Sequence, residues 1–131
     1  MIVDSSALMA ILFAEPEAPA CAQAIEAAQH RRISAVNFLE AAIVVDGRRD
    51  PVIGRRFDDF LQAAAIIVES VDLDQVTIAR QAYRDYGKWS GHPARLNFGD
   101  CFAYALARQR GEPLLFKGND FVHTDIAPAL S

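Results

Sequence analysis

The chain has 131 residues, 52% of them hydrophobic and 23% charged, which fits one folded domain spanning 1–131 and excludes a disordered chain. Its formal net charge of −4 excludes a protein that grips nucleic acid with its whole surface. An anionic substrate would need local basic patches, or a metal ion that reverses the sign of an acidic pocket.

The opening "MIVDSSALMAILFAEPEA" has no basic leader, and Asp4 interrupts its apolar run. It reads as neither a signal peptide nor a membrane span, so the cytoplasm is the default location. Cys21 and Cys101 are too few and too far apart for a disulfide framework or a metal spacing, and read as reduced thiols packed as small apolar residues. "MIV" predicts a short strand that stops at Asp4, followed by a helix over "SALMAILFAE" with Ser5 or Ser6 as its cap. Pro16 and Pro19 break that helix and open the next, over roughly Ala18 to Arg31. "RRISAV" predicts a second strand, and "NFLEAAIVVDG" a helix that Gly47 ends. Helical spacing of Val52, Phe57, Phe60 and Leu61 makes "VIGRRFDDFLQAAA" a fourth helix, with Asp58 and Asp59 facing water.

"AIIVESV" has the β-branched density of a strand. "DLDQVTIARQAYRDYGKW" is a helix capped by Asp72 or Asp74, with Val76, Ala79, Ala82, Tyr83 and Tyr86 on one side. "SGHPARLN" is a loop, "LNFGDCFAYALA" opens an apolar helix, "EPLLFKG" is a last strand and "NDFVHTDIAPAL" a short tail. Strands alternating with helices, without hairpin signals, predict a parallel sheet covered on both faces. In such folds ligand chemistry gathers at the carboxyl ends of the strands.

Four acids draw notice against that frame. Asp4 ends the first strand, where it serves as helix cap or as ligand. Glu40 stands one turn from Val36 and Val44 on the apolar face that they form with Leu39 and Ile43, and Asn37 points nearly the same way. Asp100, third in a helix capped by Asn97, can complete a capping box, yet "CFAYALA" behind it is apolar on all sides and predicts burial. Asp120 follows the last strand in a turn-like "GND". Each has an ordinary explanation alone. Converging at one sheet edge, they repel one another and need a counter-cation or shared protons. Oxygen-only ligands select a hard ion, Mg²⁺ or Mn²⁺, which activates water and stabilises charge during attack on a phosphodiester.

Taken in order, "IVDSSALMAILFAEPEA", "AVNFLEAAIVV", "LNFGDCFAYALA" and "LLFKGNDFVHTDI" resemble the motifs of PIN-domain ribonucleases, specifically VapC-type toxins of type II toxin–antitoxin pairs. The resemblance spans nearly the whole chain and implies a PIN-like α/β/α sandwich with a central, mostly parallel sheet flanked by helices. It implies an endoribonuclease acting on single-stranded or loop RNA, usually a homodimer, inhibited by a cognate antitoxin. It further implies that Asp4, Glu40, Asp100 and Asp120 form the acidic site. Asp4 and Asp100 would be the principal metal ligands, with Glu40 and Asp120 completing the shell or positioning water. Ser6 would orient Asp4 or simply cap its helix. The chain departs from many relatives at Asn119, which stands beside Asp120 where they carry a second acid, with a Thr before the pair. The number of metals, and the division of labour between Asn119 and Asp120, stay open.

Lys117, adjacent to the acids, is the first candidate for a substrate phosphate contact. Arg31/Arg32, Arg48/Arg49, Arg55/Arg56, Lys88 and Arg95 are either further contacts or solvated surface. Tyr86 and Trp89 either stack on a base or pack in the core or against another subunit. His30, His92 and His123 share no metal spacing. A haloacid-dehalogenase-like phosphatase would want an acid two positions after Asp4, where Ser6 stands, and a receiver domain would want adjacent acids. The non-enzyme alternative is a degenerate PIN-like module that binds RNA or protein without cutting.

Overall fold

Four very short strands organise the chain in a computed structural model that describes residues 1–130; Ser131, the end of the expected domain, lies outside the described residues. The strands β1 (Ile2–Val3), β2 (Arg32–Ser34), β3 (Ile67–Glu69) and β4 (Leu114–Leu115) form one sheet in the order β3-β2-β1-β4. Every pairing is parallel, with Ile2 opposite both Arg32 and Leu114. The expected α/β architecture is therefore present.

Neighbouring residues of a strand point to opposite faces, and this alternation divides the core in two. Ile2 and Leu114 join the cluster built with α5 (Leu73–Tyr86) and α6 (Phe98–Arg110). Val3, Ile33 and Leu115 join the other, built with α1 (Ser5–Leu12), α2 (Ala18–Ala27), α3 (Ala35–Gly47) and α4 (Pro51–Ala63). Both cysteines are free and buried. Among the described residues no helix is long and apolar enough to cross a membrane.

Several expectations change in detail. Asp4, not Ser5 or Ser6, caps α1. The second helix stops at Ala27 rather than near Arg31, whose guanidinium instead donates to the carbonyls of Ile25 (2.5 Å), Glu26 (3.0 Å) and Ala64 (2.9 Å). Those bonds satisfy acceptors that a helix end leaves open. Strand β2 stops at Ser34, because Ser34 caps α3. The tail is fastened rather than loose. The Leu114 N–H donates to the Ala127 carbonyl, the Ala129 N–H donates to Leu114, and the Tyr104 hydroxyl donates to Asp125 at 2.6 Å. Trp89 is 88% exposed and so packs in no core, whereas Tyr86 packs between His92 and Tyr104.

The largest correction concerns α3. The stripe that it buries is Asn37, Ala41 and Val45, at spacings of four, while Leu39, Ile43 and Val44 are exposed. Asn37 faces inward to bond the Gly99 carbonyl of α6, while Ala41 and Val45 pack in the cluster shared with α1, α2 and α4. The apolar residues that the periodicity assigns to the core look outward.

Candidate active site

The site begins where β1 ends. The Asp4 N–H donates to the Leu115 carbonyl (2.9 Å), which continues the β1–β4 ladder by one residue and brings the Asp4 side chain to the strand ends. Its Oδ2 accepts from the Ser6 N–H (3.0 Å) and the Ser6 hydroxyl (2.6 Å), while Oδ1 is buried without a partner. Burial pushes the Asp4 carboxyl above its ordinary range; the Ser6 bonds oppose this and the charge of Glu40 adds to it. Ser6 Oγ also accepts from the Lys117 N–H (2.9 Å), which ties the exits of β1 and β4 together.

Glu40 reaches the same edge from α3. Its Oε1 accepts from the Asn37 amide (2.8 Å) and the Ser5 hydroxyl (3.4 Å), and the same Asn37 amide nitrogen donates to the Gly99 carbonyl (3.0 Å). Asn37 is fully buried, with its own Oδ1 unpartnered. Gly99 is the residue that sequence reasoning missed. A Cβ built there would run into the Glu40 carboxylate, so only glycine lets α6 pass so close to that group. The glycine directly before Asp100 in "FGD" was a visible signal, but its meaning depends on a partner 59 positions away.

Asp100 sits in a complete capping box. The Asn97 N–H donates to Asp100 Oδ2 (3.0 Å), and the Asp100 N–H donates to Asn97 Oδ1 (2.9 Å). Burial pushes its carboxyl up to about 7, against the Asn97 bond, and the charges of Asp4, Asp120 and Glu40 push the same way. Those interactions put the four acids in one electrostatic neighbourhood, although they come from four separated segments. Asp120 arrives through Gly118, whose φ of +104° suits glycine, and it is exposed at the start of a 3-10 turn over Phe121–His123. Asn119 is exposed beside it.

Lys117 behaves differently from its sequence neighbours. Its backbone serves Ser6, but its ammonium is paired with Glu15 and lies 3.6 Å from Glu17, so it does not balance the acids. Arg32 is likewise engaged elsewhere, with Glu69 and Glu112.

The donor set suits a hard divalent cation: carboxylate and amide oxygens, with buried oxygens of Asp4 and Asn37 lacking any partner. Among the described residues no three His, Cys, Asp or Glu side chains gather tightly enough to hold an ion as they stand. Asp100 Oδ2 is turned to Asn97 and Glu40 to Asn37. Those two oxygens are therefore engaged by amides of the chain itself.

Fold and site together define a class: an all-parallel α/β protein with an oxygen-only acidic site at the strand ends, running from buried Asp4 to exposed Asp120. The PIN domain model matches residues 1–127, and the chain belongs to the PIN domain family. It is 55% identical over 130 residues to "Ribonuclease VapC28" of Mycobacterium tuberculosis, covering 99% of this chain and 98% of that one. It is 52% identical over 129 residues to "Ribonuclease VapC42" of the same organism, covering 98% of each. Among solved structures, Mycobacterium tuberculosis VapC20, described as a Sarcin-Ricin loop cleaving toxin, matches with a TM-score of 0.72. That match has 17% identity and covers 96% of this chain and 95% of that one, so it bears on the fold alone.

Proposed function

We propose that residues 1–131 act as one domain, a metal-dependent endoribonuclease that is the toxin of a toxin–antitoxin pair. The observation that carries this reading is the convergence of Asp4, Glu40, Asp100 and Asp120, with Asp100 pushed up to about 7 by burial and by the other three charges. The relatives named ribonucleases over nearly their full lengths support it.

Asp4 and Asp100 would hold Mg²⁺ or Mn²⁺, with Glu40, Asp120 and Asn119 available to complete the shell. Such an ion, when bound, neutralises clustered carboxylates, activates water and stabilises the charge that develops on a phosphodiester. The chain's own residues prepare that chemistry. Ser6 fixes the rotamer of Asp4 through Oδ2 and leaves Oδ1 available. Asn37 holds Glu40 at the site edge and anchors α3 to α6. The Asn97 cap fixes one oxygen of Asp100 and leaves the other able to turn toward the acids.

The partners we propose are an RNA substrate, a cognate antitoxin protein and a second copy of the chain. A solved toxin–antitoxin complex from Klebsiella pneumoniae, TM-score 0.68 at 18% identity over 92% of this chain and 88% of that one, supports a fold compatible with such pairing. The outward-facing Leu39, Ile43 and Val44 of α3 offer the apolar surface that a homodimer would cover. Free thiols at Cys21 and Cys101 fit action in the cytoplasm.

Incubating pooled cellular RNA with the purified protein, with Mg²⁺ or Mn²⁺ and then with EDTA, tests the reading. Cuts should need the metal. Asp4→Asn and Asp100→Asn should each lower cleavage about a thousandfold while keeping the fold, since Asn can still accept the local hydrogen bonds. Metal binding without activity in any RNA pool, or full activity in either variant, would count against it. No cutting together with no metal binding would favour the degenerate binding module.

A further inference from the structure

The acids account for hydrolysis but not for how an acidic chain holds RNA. Beside them, α5 and α6 enclose a groove of about 710 Å³, in the size range of clefts that bury a small ligand. Its apolar wall is unusual in lying open: Phe98 is 72% exposed and Tyr83 39%, with the Phe98 ring edge-on to Phe102 at 5.0 Å. Arg80 and Arg84, one helical turn apart on the same helix as Tyr83, line it too, with Lys88 just past the helix end. Among the described residues none of these three cations makes an ion pair, whereas Arg32, Arg108, Arg110 and Lys117 all do. Asp85, the nearest acid in sequence, accepts instead from the Gln81 amide (3.1 Å). Cys101 lines the floor, its thiol pushed up to about 11 by burial and the charge of Asp100, so it remains a neutral apolar contact.

We infer that this groove seats the RNA nucleotides next to the bond that is cut. This rests on the ribonuclease reading and gives it a direction. Exposed rings in line with unpartnered cations match the two faces of a nucleotide, a flat base and an anionic phosphate. A purely apolar partner would match the rings but leave three cations buried without counter-charges. The groove lies near the acids, because Asn97 and Phe98 line it and Asp100 follows on the same first turn of α6. A strand whose base lies on Phe98, with its phosphates along Arg80, Arg84 and Lys88, runs its next phosphate toward Asp100. The basic row thus supplies the local attraction that the net charge of −4 denies to the whole surface.

The test reads binding separately from cutting. Fluorescein-labelled single-stranded RNA of mixed sequence is titrated by anisotropy in EDTA, and the same proteins are then assayed for cleavage with Mg²⁺. Arg80→Glu with Arg84→Glu should weaken binding at least tenfold and flatten its dependence on log salt by about 1.4, the slope for two single-strand phosphate contacts. Phe98→Leu keeps an apolar side chain but removes the ring. It should weaken binding about tenfold with the salt slope unchanged. In cleavage both variants should raise KM far more than they lower kcat. Unchanged RNA affinity in the variants, or no RNA binding by the unmodified chain, overturns the inference. So does a loss of affinity that appears only together with dissociation to monomers in sedimentation, which would make the groove a contact between copies. A chain that binds RNA through these residues but never cuts it would leave the groove standing and remove the ribonuclease reading.

Discussion

Two charged clusters in this molecule are built on opposite principles. Around Arg32, the N-terminal amine, Arg32 and Arg110 meet Glu69 and Glu112 at 2.8 to 3.5 Å, three cations against two carboxylates. At the carboxyl ends of β1 and β4, four carboxylates gather, and the closest lysine in sequence, Lys117, is turned to Glu15 and Glu17. In the first cluster every charge meets an opposite one, and it holds strands and helix ends together. The second has its charge unanswered, and burial, helped by the neighbouring charges, pushes the carboxyls of Asp4 and Asp100 up. A fold keeps such an imbalance only where something from outside resolves it. Charge in the first cluster is answered within the chain; in the proposed function the acids would be answered by a bound cation.

Disturbing each cluster should sharpen that contrast. After replacement of the acids themselves, the largest effect is expected from Gly99→Ala, whose new methyl would displace the Glu40 carboxylate. Cleavage should fall about a hundredfold, the scale of a misplaced catalytic group. The fold should survive, because a flexible side chain can swing away and Ala favours the helix. Kinetics and circular dichroism on the variant check this, and full activity would show that the site does not depend on Glu40's position.

Next comes the pH dependence of stability without metal. Folding raises the carboxyls of Asp4 and Asp100, so the protonated forms favour the folded state. Their contribution is present below the ordinary carboxylate range and is lost as pH climbs through about 7. Denaturant melts in EDTA should lose about 2 kcal/mol between pH 5 and pH 8, the linkage value discounted for partial solvation of Asp100. Adding Mg²⁺ or Mn²⁺ at pH 8 should restore it, and Asp100→Asn should flatten the profile. A metal-free protein that gains stability as pH rises would contradict the contrast at its root.

The smallest effect is expected at the cluster around Arg32. Arg32→Ala leaves Glu112 and Glu69 short of partners in a half-buried setting and should cost about 1–2 kcal/mol in urea unfolding. Metal-dependent cleavage per folded molecule should be unchanged. A selective loss of activity would mean that the two clusters are coupled through the sheet.

Much of this was legible in the sequence because parallel α/β folds put strand ends to work. Asp4 and Asp120 were findable as acids just past apolar runs, and Asp100 as an acid opening an apolar helix capped by Asn97. The periodicity of α3 misled, since it marks which residues are apolar and not which are covered. Leu39, Ile43 and Val44 satisfy the helical spacing yet lie outside, while Asn37 is buried because it bonds both Glu40 and Gly99. Helix ends were mistaken where a side chain such as Arg31 closes the last turn from beyond it. Lys117 shows the limit of adjacency: its backbone serves the site while its charge serves Glu15.

The capping box at Asn97 and Asp100 has one more consequence. One carboxylate both starts α6 and faces the acids, so the first turn of that helix and the state of the site share a residue. Whatever binds Asp100 will change how firmly the Asn97 and Asp100 amides are held. Their hydrogen-exchange rates are thus a built-in reporter of occupancy, readable in a protein that has no RNA to cut.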